Sequence, residues 1–547
     1  MAHLLCPIPS VPGAGKAPAI PDVELAPKDT RTAEEAGEHE YKPPRSILII
    51  GSGVFGLSTA LSLTRRPEIP PSTPITVVDR SPDPGVFPAR DAASIDSSRI
   101  IRADYADAAY STLAGEAQSH WRRNRNDPDA LGGDGRYSES GLLLGADAGP
   151  HSSTVRADGH PTGLGYAKRS WVNALALAHA EDRPLSSVRL LPLPYAIARA
   201  TGTGGEWADW GYLNTTAGWA DAERSMRWLY DRVVKTGRVT FVNGTVEALE
   251  TETETQTQTE TEETPAEAPR VTGARLTDGR SLSADLVIVA AGAWTPSLVD
   301  LSGQAVATGQ CLAYLRLTDA EQAKLAKMPV CLNLTDGCFA IPPRDGVLKI
   351  ARHAYGYLNP QPVSHEPLRL SPGPGSKDET EGLAAKRVVS QPRTHLTNPS
   401  LSIPAEAAAD LRRALRRMIP WPELAERPFF KTRLCWYTDT ATGDWIIDYH
   451  PSYKNLFVAT GGSGHAFKFL PILGDKVVDC LLGKCPEDFR EKWKWKGGAG
   501  IRANAHGSEG VRTKGQEETL VDDLAVELII STEDGSRGGK PGLILLD

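Results

Sequence analysis

At 547 residues the chain exceeds what one hydrophobic core ordinarily serves, so two closely connected domains are expected. Its 60 Lys and Arg against 68 Asp and Glu leave a net charge of −8 with no basic stripe, which argues against nucleic acid as a partner. Seven cysteines (Cys6, Cys311, Cys331, Cys338, Cys435, Cys480 and Cys485) show neither a paired framework nor zinc spacing, so a reducing compartment and no metal are expected. No run is long and apolar enough for a signal peptide or a bilayer span, so no membrane partner is expected. The end, Gly542 to Asp547, carries no Ser-Lys-Leu type signal that would favour a peroxisome over a cytoplasmic enzyme.

Residues 1–44 are rich in Pro, Ala, Gly and charge, and read as a disordered extension. The fold begins near Arg45. Ile47–Ile50 is an apolar β-type run that flows into Gly51-Ser52-Gly53-Val54-Phe55-Gly56 and then a helical pattern. A second strand, 75–78, ends at Asp79, 28 residues after Gly51. This is a dinucleotide fingerprint with a physical content: Gly51 permits the tight turn, Gly53 lets the backbone approach a pyrophosphate, and Gly56 lets the helix sit close on the sheet. The helix amino terminus offers N–H groups to the phosphates, and the Asp79 carboxylate could take ribose hydroxyls.

Further on, 105–121 has helical spacing and 141–144 reads as a strand. A helix over 219–234 feeds a strand at 239–242, with another short strand around Val246. The Thr and Glu/Gln alternation within 250–268 is a polar insertion that buries nothing. Residues 271–276 and the strongly apolar 284–294 follow, the latter suited to a buried parallel strand that meets a glycine turn. A second domain is expected from 302 to 420, with a strand at 347–350 and a Pro- and Gly-rich flexible loop at 362–392. A buried strand at 456–459, the glycine-rich 461–465 and a helix over 473–482 close the folded part, and 498–547 reads as a poorly ordered tail.

Together with Thr432-Arg433-Leu434-Cys435-Trp436-Tyr437-Thr438-Asp439-Thr440, these segments resemble the sarcosine oxidase and fructosyl amino acid oxidase family of FAD-dependent amine oxidases, from about Ser46 to Trp495. The resemblance implies an α/β fold, with an FAD-binding Rossmann-like domain of the glutathione reductase type and a sheet-based substrate domain. It assigns 45–301 mainly to the FAD-binding domain, with some substrate-domain segments, and 302–420 mainly to the substrate domain. Residues 421–497 return to the FAD-binding domain and carry the flavin attachment.

The resemblance also implies roles for single residues. Cys435 stands where the family attaches FAD covalently through a thioether; the plainer alternative is a small buried hydrophobe. Lys349 matches the lysine that assists oxygen reduction, against the alternative of a solvated edge-strand lysine. His353, four residues later, has the spacing of an active-site histidine on the same face, and Tyr437 keeps a phenol found in the sarcosine oxidases. Arg102 corresponds to the arginine that pairs with a substrate carboxylate, and Lys468 would complete the clamp from the opposite side; an exposed ion pair is the alternative for each. Beside Gly51, Gly53, Val54, Phe55, Gly56 and Asp79, the cofactor-binding set comprises Ser98, Arg99, Val246, Cys435, Gly464, His465, Phe467 and Lys468.

The implied reaction is oxidation of the C–N bond of an amino acid bearing a secondary amine, by a monomeric enzyme with oxygen as acceptor, giving an imine and hydrogen peroxide. Tyr437 and Arg99 depart from the fructosyl members, which disfavours a glycated substrate. Oxidative ring closure of an N-methylated precursor and fructosyl amino acid oxidation stand as enzyme alternatives, and a dinucleotide sensor without turnover as one of another class.

Overall fold

The computed structural model describes residues 42–83, 85–148, 153–155, 161–252, 268–354, 356–365, 367–368, 388–496 and 544–545. The expected disordered extension up to residue 41, the centre of the polar insertion, most of the 362–392 loop and nearly all of the tail lie outside them.

Two sheets organise the molecule. The first runs in the order Ile446–Tyr449, Leu456–Thr460, Leu286–Val289, Ile47–Ile50, Ile75–Asp79, Val239–Asn243, parallel throughout except for the Ile446–Tyr449 edge. Register is set at Ile47, which lies opposite Ile75 on one side and Leu286 on the other. All four residues of Ile47–Ile50 and of Leu286–Val289 are buried without alternation, as central parallel strands covered on both faces require. The helix Val54–Leu63 is buried along its whole length. The helix Leu470–Leu481 packs against it at Gly474, where a Cβ would fall 1.9 Å from Ser58 O.

The second sheet is largely antiparallel and is centred on the twelve-residue strand Ala305–Arg316, buried on both faces except at Arg316. Val347–Arg352 pairs with part of this strand, and Lys431–Thr440 runs antiparallel along it from Ala305 to Tyr314. The helix Ala405–Met418 covers the sheet with Leu411, Leu415 and Met418, in a core that also holds Trp207, Tyr357 and Trp436. The architecture is therefore the expected α/β one, a Rossmann-like parallel sheet joined to a sheet-based second layer. Residues Pro43–Asp547 form a single unit, so the two sheets are not separable bodies.

Several elements differ from their sequence reading. The strand that carries Cys435 belongs to the antiparallel sheet, with Cys435 opposite Gln310, and only the strands from Ile446 onward rejoin the parallel sheet. Periodicity reveals that a segment is extended but not which partner it pairs with. The helix expected over 219–234 starts at Ala222, because Asp221 caps it by accepting from Arg224 N at 3.0 Å. Trp219 instead pairs with Ile100 in a small antiparallel sheet. The polar insertion opens as paired strand, Val246–Glu252 against Arg270–Leu276, with Leu249 buried. The ends of the 362–392 loop enclose a short ribbon, Pro360–Pro362 against Val388–Ser390. In the tail, Ile544–Leu545 adds a parallel edge to Tyr357–Leu358.

Candidate active site

The cradle forms where the first strand meets its helix. Gly51 holds φ at +103°, and a Cβ there would stand 2.5 Å from Ala290 O, so the turn excludes any side chain. Gly56 lies against the same turn, 1.9 Å from Gly51 O if a Cβ were added. Gly53 is different: its Cβ would meet only Ser94 Oγ at 3.8 Å, and as N-cap it makes no side-chain bond to the first N–H groups of the helix. Gly53, Val54 and Phe55 line a large cavity. Unclaimed N–H donors and the positive end of the helix dipole thus meet open space suited to a phosphate. Asp79 lines the same cavity and accepts from Ser52 N at 2.9 Å. Burial raises its carboxyl above the usual range, with the Ser52 bonds opposing.

At the other end of the cavity stands a charged cluster. Arg99 lines the wall, and its Nη2 lies 3.4 Å from the Cys435 sulfur, which is itself buried. Asp96 joins the group from beneath the same loop: it pairs with Arg99, accepts from Lys349 Nζ at 2.6 Å and accepts from Tyr314 OH at 2.6 Å. Lys349 Nζ also donates to Ser98 O at 2.8 Å, so Ser98 serves the lysine through its carbonyl and does not line the cavity. Burial pushes the Lys349 ammonium down to about 8, while Asp96 holds it up and Arg99 pushes it further down. Burial alone would raise Asp96, but Lys349, Arg99 and Arg433 hold it well below the ordinary carboxylate range.

Arg102 and Lys468, far apart in the chain, meet at one ring. Arg102 Cζ lies 4.8 Å and Lys468 Nζ 5.2 Å from the centroid of Tyr105. Lys468 Nζ donates to Tyr105 OH and to His465 O, both at 2.8 Å. Arg102 Nη1 is buried with no hydrogen-bond partner. Burial first, then the neighbouring Arg102 charge, lowers Lys468 well below the usual lysine range. Asp104 lies close by, but its carboxylate is taken by Tyr212 OH at 2.9 Å and Asn214 Nδ2 at 3.1 Å.

The sequence candidates divide between the cavity lining and its surroundings, and Cys435, Lys349, His353, Arg102 and Lys468 are not among the lining residues. His353 lies one residue past the end of Val347–Arg352, not within the strand, and still meets Tyr437 with ring centroids 5.9 Å apart. Gly464 makes room for both: its Cβ would stand 2.4 Å from Tyr437 Cε2 and 2.9 Å from His353 Cε1. Tyr437, Gly464, Phe467 and Val246 line the cavity. His465 does not; its Nδ1 shares a 3.0 Å hydrogen bond with Tyr105 OH, its Nε2 lies 2.8 Å from Gly443 O, and its ring stacks on Trp445. No motif in the sequence marks Asp96, Tyr314, Arg433 or Tyr105 as a site residue. Asp96 stands three residues before Arg99, a spacing that admits an ion pair, but only the fold shows that Lys349 shares it.

A family model described as FAD dependent oxidoreductase matches residues 46–480. The chain belongs to that family. It is 33% identical over 498 residues to the amino acid oxidase imqH of Aspergillus flavus, covering 83% of this chain and 98% of the relative. It is 28% identical to the L-saccharopine oxidase of Schizosaccharomyces pombe, covering 83% and 93%. Among solved structures it is similar to a thermally stable mutant of fructosyl peptide oxidase, with TM-score 0.65, 26% identity and coverage of 83% and 94%. It is also similar to the fructosamine oxidase of Aspergillus fumigatus, with TM-score 0.64, 25% identity and coverage of 91% and 95%.

The residues present fit the family's cofactor on structural grounds alone. The uncapped helix start with its Cβ-free Gly53 suits the pyrophosphate, and the half-buried Asp79 suits ribose hydroxyls. Among the described residues no helix is long and apolar enough to cross a membrane.

Proposed function

We propose that this chain is an FAD-dependent oxidase of the C–N bond of an amino acid bearing a secondary amine, releasing an imine and hydrogen peroxide. The observation that carries the reading is the pair of buried cations at Tyr105. Arg102 keeps an unpartnered Nη1, and among the described residues neither Arg102 nor Lys468 makes an ion pair with the protein. A substrate carboxylate would pair with Arg102, whose planar guanidinium fork suits it, and would favour the Lys468 proton that burial and the Arg102 charge oppose.

The side chains divide the work. Arg102 and Lys468 bind the carboxylate and so orient the amine. Tyr437 and His353, held together at Gly464, bound the space where the reacting carbon would sit. Bound FAD would supply the chemistry that takes two electrons from the C–N unit and gives them to oxygen. Gly51, Gly53, Asp79 and Val246 would hold its nucleotide, and Cys435, beside the Arg99 guanidinium, would be the covalent attachment point. Lys349 provides a positive charge in a water-poor setting where charge develops on oxygen. The secondary amine is supported by a relative: saccharopine, named in the L-saccharopine oxidase of Schizosaccharomyces pombe, carries one.

Peroxide release across sarcosine, pipecolate, saccharopine, fructosyl amino acids, N-methylated aromatic amino acids and amines without a carboxylate tests the proposal. Turnover of one or more secondary-amine acids, with little from the carboxylate-free amines, is expected. Peroxide from the carboxylate-free amines as readily as from the acids would overturn the substrate class, peroxide from fructosyl substrates alone would narrow it to glycated amino acids, and a ring product in place of formaldehyde from an N-methyl acid would move the reading to oxidative cyclisation.

A further inference from the structure

Away from the cavity, the end of the helix Leu470–Leu481 brings two thiols together. Gly483 holds φ at +71°, its N–H donates to Cys480 O at 3.0 Å, and the Lys484 N–H reaches back to Asp479 O at 2.7 Å. This pair of bonds is a Schellman motif, which folds the chain back over the last helical turn. Cys485, the next residue, therefore returns alongside Cys480, near enough for each thiol to shift the other's titration, and the Cys485 thiol donates to Pro486 O at 3.7 Å. Cys480 is buried and Cys485 partly exposed, and neither lines the cavity. The other four cysteines among the described residues are buried. Pro486 then starts the helix Glu487–Trp493, whose Trp493 stacks on Trp445 with centroids 5.0 Å apart.

We propose that Cys480 and Cys485 form a peroxide-reactive dithiol, a modification site in which hydrogen peroxide closes a disulfide between the end of one helix and the start of the next. The more exposed Cys485 attacks first, and the neighbouring Cys480 thiol favours its thiolate, as does the nearby Arg490. Its sulfur bonds to one peroxide oxygen, the O–O bond breaks, and the departing hydroxide takes a proton to become water. The Cys480 sulfur then attacks the resulting sulfenic acid, the S–S bond forms, and the second oxygen leaves as water with the Cys480 proton. Two thiols and one hydrogen peroxide give one disulfide and two waters, the thiols losing two electrons and the peroxide gaining them. That the protein generates this peroxide itself rests on the oxidase reading above; the dithiol chemistry does not.

The test adds hydrogen peroxide as a reagent to the reduced holoenzyme, so failure of the oxidase reading leaves its outcome untouched. After quenching and alkylation, non-reducing tryptic mapping should recover peptides 477–484 and 485–490 joined, lighter by two hydrogens than their sum. A Cys480→Ser protein should stop at Cys485 sulfenic acid, trapped by dimedone, and Cys485→Ser should leave Cys480 alkylatable. Recovery of both wild-type peptides unjoined after peroxide treatment, or a bond from Cys485 to any cysteine other than Cys480, would overturn the proposal. Because the wild-type map decides by itself, misfolding of either variant leaves the proposal open to refutation.

Discussion

At the scale of single residues, Asp96 is the organising charge, because it answers Lys349 and Arg99 at once in a buried setting. Removing it altogether in Asp96→Ala would strand the buried Lys349 and the half-buried Arg99, a change that costs about 3–5 kcal/mol and would read out in denaturant unfolding. The milder Asp96→Asn keeps the shape and removes the charge that holds the Lys349 proton. Lys349 titrates at about 8, below its ordinary 10.5, so it is a cation below that pH and neutral above it. Reoxidation by air should therefore slow as pH rises through about 8, and in Asp96→Asn the slowing should set in at lower pH. Lys349→Met should lose this dependence and slow reoxidation more than anaerobic reduction; stopped-flow absorbance separates the two. The sign for stability is the opposite. Between about 8 and 10.5 the unfolded chain holds the lysine proton that the folded one has lost, so the Lys349 contribution to stability rises with pH over that window and is least favourable below it. Lys349 is legible in sequence because it interrupts an apolar strand pattern. Asp96 is not, since its importance comes from partners that a local window never contains.

Among elements, the helix Val54–Leu63 is held from two sides by glycines with different duties. Gly474 gives way to Ser58 O, so Gly474→Ala must push two helices apart; a loss of about 1–3 kcal/mol in unfolding free energy is expected. Gly53 faces the cavity. Gly53→Ala should cost about 1 kcal/mol or less in stability, as a poorer cap, yet lower the flavin-to-protein ratio, because the new methyl occupies the space of a phosphate. Equal effects of the two substitutions on both measurements would contradict this division. The turn and its glycines were legible because a strand, three glycines and a helical period lie within one short stretch. The sheet that receives the Cys435 strand was not, since its pairing with Gln310 is a contact remote in sequence.

For the whole molecule, the cavity is walled by segments from Ile50 to Phe467, so cofactor and fold are expected to stabilise each other. With covalent attachment, the melting temperature of the purified protein should not respond to added FAD. In Cys435→Ala it should rise with FAD concentration, by a stabilisation of about 2.7 kcal/mol at a hundredfold excess over Kd. A matching response in the parent protein, or flavin released from it by acid precipitation, would refute attachment. The Arg102 and Lys468 clamp belongs to this scale as well, because it exists only once distant segments meet at Tyr105. Each single alanine substitution should weaken binding of carboxylate substrates by about 1.5–3 kcal/mol, read as KM, and leave carboxylate-free amines less affected.

What the sequence by itself determined is local or patterned: the dinucleotide turn with its helix, the buried parallel strands, the chain's family, and the cationic residue types available for an acid substrate. These follow from rules that act over a few residues, such as φ at a glycine, a cap, or the period of apolar side chains. Only the tertiary structure decided that Cys435 stands beside Arg99, that Asp96 joins Arg99 to Lys349, and that Arg102 and Lys468 share one ring while His465 is held among aromatic neighbours. Such meetings depend on how two sheets close on each other, a choice made by the summed burial of many residues that no single segment records.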